Sequence, residues 1–188
     1  SLKLWNCKNE LLASCRICLL QPNRTAHCMC HGSTCHMKMK NPLLVVKDIE
    51  CSKEFYRKVL GLRTIADLGA NAVLTGGLSL QTEESWKQFT GKPISYCAND
   101  ADIYFEEDDF DAFSEKLGTI PALEYVHPVM THAWGQRVVR FYDPDHHIIE
   151  VGENMKAVCR RYLEAGLSPE EAAERMDVPL KAVKAWMR

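Results

Sequence analysis

One carboxylate, Glu150, stands in the run Ile148-Ile-Glu-Val-Gly152, whose other members are apolar or glycine. A strand of that composition is buried on both faces, and a buried carboxylate requires a partner, a metal ion or a proton. The acid would then pair with an arginine, ligate an ion, or move a proton as a general base. Upstream, Asp143-Pro-Asp145 separates two β-prone runs. Proline presets the φ of a turn residue and the flanking aspartates bond the turn's own backbone, so Arg140–Glu153 reads as a hairpin. Arg137 and Arg140 are an odd number of residues apart and point to opposite faces of a strand, so only one can meet Glu150. His146 shares the parity of Glu150 but falls at the turn, and His147 faces the other way. His127 and His132, in company with Pro128, Trp134 and Gly135, read as part of a mobile loop over a cavity mouth, where a lone histidine is usually solvated.

A second group of chemistry-bearing residues lies at the start of the chain. Of nine cysteines, Cys7, Cys15, Cys18, Cys28, Cys30 and Cys35 crowd the first 36 residues together with His27, His31 and His36. Cys15 and Cys18 followed by Cys28 and Cys30 offer four thiolates to a zinc ion, although their spacing matches no common finger. The alternative, a poorly ordered extension ahead of a start near Met37 or Met39, is the expectation, because no strand or amphipathic helix flanks these cysteines.

The elements that must position these residues begin at Asn41. With 46% hydrophobic and 26% charged residues in 188, the chain has material for one core and an appendage. A net charge of -2 predicts no general affinity for nucleic acid or anionic membranes. No apolar run is long enough to span a bilayer, and Arg16 interrupts the only apolar patch near the start, so a cytoplasmic location is expected. Leu43 to Val46 reads as a strand, then Asp48 caps a helix that runs through Leu60 and stops at Gly61. Arg63 to Asp67, Ala72 to Thr75 and Leu78 to Thr82 follow as strands, giving the order βαβββ. The order then repeats: a strand at Ile103 to Glu106, a helix capped by Asp109 and ending at Gly118, and strands near Leu123 to Val126, Gln136 to Tyr142 and Ile148 to Gly152. The two caps lie 61 positions apart, which reads as a tandem duplication. Each copy covers one sheet face with its helix, and pairing the copies encloses a cavity between the faces that remain. The fold class is α+β, with paired βαβββ modules over 37–153 and C-terminal helices over 154–188.

The stretches Asp48-Ile-Glu-Cys-Ser-Lys-Glu-Phe-Tyr-Arg-Lys-Val-Leu-Gly-Leu62 and Phe141-Tyr-Asp-Pro-Asp-His-His-Ile-Ile-Glu150 resemble the signatures of the vicinal oxygen chelate superfamily, which holds glyoxalases, bleomycin-resistance proteins and extradiol dioxygenases. The resemblance spans about Met39 to Glu153 and implies the fold more strongly than any reaction. It implies metal ligands on the first and last strands of each repeat, which here are Asn41, Gln81, Asp102 and Glu150. Glu150 matches the usual glutamate, whereas Asn41 stands where histidine is common. An all-oxygen set suits magnesium or manganese over zinc. Because amides are poor ligands, the expectation is a site that has lost its metal, with Glu150 satisfied by amide donors or an arginine. Ser79 and Arg140 complete the polar lining, and Tyr104, Trp134 and Phe141 are candidate aromatic walls. Family members often pair sheets between chains, which implies a homodimer.

The tail reads as an amphipathic helix from Met155, a capping box at Ser168-Pro-Glu-Glu171, and a last helix bearing Lys181 and Lys184. It resembles a helix-turn-helix, but Glu170, Glu171, Glu174 and Asp177 offset the basic residues, so a docked appendage is expected over a DNA reader. The resulting expectation is a protein that binds a small molecule between its two modules. The alternatives are a divalent-metal-dependent lyase, isomerase or transferase with Glu150 as ligand and base, and a ligand-responsive DNA-binding regulator.

Overall fold

In the computed structural model, residues 39–188 are described. The cysteine-rich stretch lies outside them. Asp48 initiates α1 (Ile49–Leu60) as its side chain accepts from the backbone N–H groups of Glu50 and Cys51, and Gly61 ends it at φ 70°. Ahead of it runs β1 (Leu43–Val46), and after it come β2 (Thr64–Asp67), β3 (Asn71–Leu74) and β4 (Ser79–Thr82). A helix α2 (Glu83–Thr90), capped by Thr82 and ended by Gly91, leads to the second copy. That copy comprises β5 (Asp102–Glu107), α3 (Phe110–Gly118) capped by Asp109, β6 (Tyr125–Thr131), β7 (Arg137–Tyr142) and β8 (Ile148–Glu153). The sheets repeat one topology, β1-β4-β3-β2 and β5-β8-β7-β6. In each the first strand is parallel to the last and the other pairings are antiparallel. The duplication read from the caps is therefore also present in strand order.

Alternation along the strands divides each sheet into two faces. Leu74, Leu78 and Leu80 of the first module and Phe141, Ile149 and Val151 of the second join Tyr56, Val59, Phe110 and Leu117 from α1 and α3 in a single core. The modules are fastened there. The Tyr56 hydroxyl donates to Asp143 at 2.8 Å, the Lys47 amide donates to Asp145 at 3.2 Å, and Lys116 donates to the Val59 carbonyl at 3.0 Å. Asp143 also accepts from the amides of Asp145 and His147, both at 2.9 Å, so the Asp-Pro-Asp turn bonds its own backbone as its residues predict.

Two expectations need correction. The segment holding His127 is not a mobile loop but the edge strand β6, and Pro128 is accommodated because its ladder slips register between His127 and Met130. The helix α2 is not predicted by the residues of 83–90, and Ser85 is its single buried residue.

The tail packs as α4 (Met155–Glu164), α5 (Pro169–Arg175) and α6 (Leu180–Trp186) around Val158, Cys159, Met176 and Val183. The capping box between Ser168 and Glu171 is formed. Arg161 anchors α4 to the second module by donating to the Gly135 carbonyl at 2.8 Å and to Glu153 at 2.9 Å. Lys184 of α6 is paired with Glu170 at 3.8 Å. No described helix is long and apolar enough to cross a membrane.

Candidate functional site

Strand β8 carries two acids on opposite faces. Ile149 and Val151 point into the core, so Glu150 projects from the far side, the inner face of the second sheet. It is only 8% exposed. Arg140 stands opposite it in the β7–β8 register. The Arg140 guanidinium forms an ion pair with Glu150, lies 3.7 Å from Asp102, and is 3.0 Å from His127 Nε2. His127 Nδ1 is 2.8 Å from the Pro128 carbonyl, so Nδ1 carries the proton and Nε2 accepts from Arg140. Burial pushes the Glu150 carboxyl above its ordinary range and Asp102, within hydrogen-bonding reach, adds to the shift, while Arg140 opposes both. Two carboxylates, Glu150 and Asp102, thus share one cation, Arg140. An open recess of about 260 Å³, lined by Asn99, Asp102, Arg140 and Ile148 among others, lies beside it.

Tyr104 crosses the same face. A Cβ on Gly152 would come within 2.9 Å of the Tyr104 hydroxyl, so glycine at 152 is what lets the phenol lie over β8. Gln136 donates to that hydroxyl at 3.0 Å and to the Glu153 carbonyl at 2.9 Å, while Trp134 donates to Gln136 at 3.2 Å and stacks on His132. Sequence reasoning missed Gln136 and Gly152, although a lone glycine two residues after a strand acid was a legible sign of close approach.

The remaining candidates separate into groups. On the first module Asn41 donates to Ser79, and Gln81 donates to Ser85 of α2 at 2.8 Å. Phe141, a candidate wall, is instead fully buried against Phe55 in the core, because it shares the core-facing side with Ile149. Arg137 turns to Glu153 and Asp111 on the helix-covered side, as its parity predicts.

A divalent ion does not fit this donor set. Arg140 already places a permanent positive charge on Glu150 beside Asp102, so a divalent ion there would meet like charge. Among the described residues no cluster of three or more histidine, cysteine, aspartate or glutamate side chains is placed to hold a metal.

Residues 39–156 match the family model described as Glyoxalase-like domain. A crystal structure of a protein of unknown function from Agrobacterium tumefaciens is 38% identical, covers 63% of this chain and 94% of its own, and superposes with a TM-score of 0.57. A glyoxalase/bleomycin resistance protein/dioxygenase from Nocardioides (22% identity, 64% and 85% coverage, TM-score 0.53) shares the fold. So does a lactoylglutathione lyase from Agrobacterium tumefaciens (22% identity, 63% and 94% coverage, TM-score 0.51). Comparison with curated proteins returned no match.

Proposed function

Because this chain belongs to the glyoxalase-like family, we propose that it is a small-molecule-binding protein whose ligand lies in the hollow between its modules, anchored on the inner face of the second sheet. The observation that carries this reading is Glu150, 8% exposed and paired with Arg140 on a sheet face that no helix of its own module covers. An ion pair there contributes less to folding than well-packed apolar side chains of the same volume, so its value lies in recognition. A ligand carboxylate would compete with Glu150, Asp102 and His127 for the Arg140 guanidinium, whose fork receives the two oxygens of a carboxylate in parallel bonds. Glu150 and Asp102 offer acceptors to a hydroxyl on the same ligand, and the raised carboxyl of Glu150 makes it the group that would move a proton. Tyr104 supplies an apolar wall, with Trp134 at the rim.

Thermal-shift titration with small carboxylates bearing a hydroxyl or carbonyl tests the anchor. At least one should raise the melting temperature of the wild type and leave Arg140→Met unmoved; a shift retained in that variant, or none in the wild type, overturns the reading. Elemental mass spectrometry of protein purified without chelator or histidine tag should find no stoichiometric divalent metal. One tightly held equivalent would replace this reading with a metal-dependent one.

A further inference from the structure

The inner face of the second sheet is short of positive charge. Register places Asp102 and Glu106 of β5 on the same side as Glu150, paired with Ile148 and Gly152 of β8, and Arg140 is the cation that β7 sets against them. His127 accepts from Arg140 and so brings none. The recess beside the ion pair repeats the imbalance, since Asp100 and Asp102 line it with Arg140. Even with a proton on Glu150, carboxylates outnumber the guanidinium there. A ligand carboxylate drawn to Arg140 therefore enters a field that opposes it, and the opposition grows as water is displaced.

The three contacts of Arg140 are unequal. Glu150 pairs with Nη2 and is itself buried, and His127 holds Nη1 at 3.0 Å. Asp102 meets Nε at 3.7 Å, beyond the length of a hydrogen bond. Asp102 is thus the partner most readily exchanged. A ligand can reach both groups, because the side chains of Arg140 and Asp102 keep 29% and 40% of their surface open. Glu106 is differently engaged, accepting from the Tyr104 hydroxyl at 3.3 Å.

We infer that the ligand anchored on Arg140 is a zwitterion with an ammonium on the carbon that bears its carboxylate, an amino acid rather than a hydroxy acid. Its carboxylate takes the Nε–H that now faces Asp102, and its ammonium takes the Asp102 carboxylate released by that exchange. Charge is then matched pair by pair, and the excess of negative over positive groups at the site does not rise. A hydroxy acid raises that excess by one, and a simple amine offers nothing to Arg140. The inference rests on the carboxylate anchor proposed above and adds the second charge that such an anchor needs among these acids.

Phenylalanine and phenyllactate are the probes. They differ only in an ammonium against a hydroxyl beside the carboxylate, and each can lay its ring on Tyr104, which is 46% exposed. Both are titrated into the wild type, Asp102→Asn and Arg140→Met and followed by NMR chemical shift. The wild type should bind phenylalanine about tenfold more tightly, the low end for a hydrogen bond to a charged group. Asp102→Asn, which keeps the shape of the side chain and removes its charge, should bring the two affinities together. Arg140→Met should abolish binding of both. Equal or reversed affinities in the wild type, or a preference that survives Asp102→Asn, overturn the zwitterion, while loss of phenyllactate binding in Arg140→Met keeps the carboxylate anchor. Binding that survives Arg140→Met, or no binding of either probe to the wild type, overturns both.

Discussion

Glu150 and Glu153 lie three residues apart on β8, both buried, yet their surroundings treat them oppositely. Burial alone raises both. At Glu153 the hydrogen bonds from Arg137 and Arg161 more than reverse that effect and hold the carboxyl below its ordinary 4.5. Its ionised form therefore stabilises the fold above the unfolded value, and that contribution is lost as pH falls through the lower folded value. At Glu150 burial and Asp102 prevail over Arg140 and the carboxyl is raised, so ionisation opposes folding and protonation as pH falls relieves it. Glu153→Gln should cost about 3 kcal/mol at neutral pH, as breaking a buried ion pair does, and should flatten the acid limb of a stability–pH curve. Glu150→Gln should leave neutral-pH stability unchanged or higher while removing ligand response. Denaturant titrations of both variants from pH 7 to pH 3 distinguish the two.

The caps and turns were legible in the sequence because each is a local device: Asp48, Asp109, Gly61 and Asp143 do within a few residues what their types favour. What escaped were elements defined by their neighbours. The strand β6 contains a proline and exposes most of its residues, which is the profile of a loop until β7 pairs with it. Arg140 was one of two arginines that parity left open, and only the β7–β8 register selects it; the same register sends Phe141 to the core. The docking of α4 was likewise unreadable, because it depends on Gly135 at φ 90° lying under Tyr162, where a Cβ would fall 1.9 Å from the hydroxyl. Gly135→Ala should therefore destabilise the protein by about 2 kcal/mol or more. It should also expose the tail beyond Asn154 to limited proteolysis, while Gly166→Ala, with nothing near its Cβ, should leave α4 docked.

For the whole molecule, the inner sheet faces remain partly uncovered: Leu43, Tyr104 and Met130 keep 40%, 46% and 42% of their surface exposed. We expect a second copy of this chain to cover them, since apolar groups gathered on a sheet face mark a surface meant for a partner. Sedimentation at micromolar concentration should give a dimer for the wild type and a monomer for Tyr104→Glu combined with Met130→Glu; a monomeric wild type would remove the expectation. The placement of the two β8 acids has one further result. At the acid proposed to meet the ligand, burial opposes ionisation, while the acid that clasps Arg137 and Arg161 is held ionised by them. Replacement at position 150 should therefore leave the architecture standing, since the ion pairs that fasten it lie three residues away at Glu153.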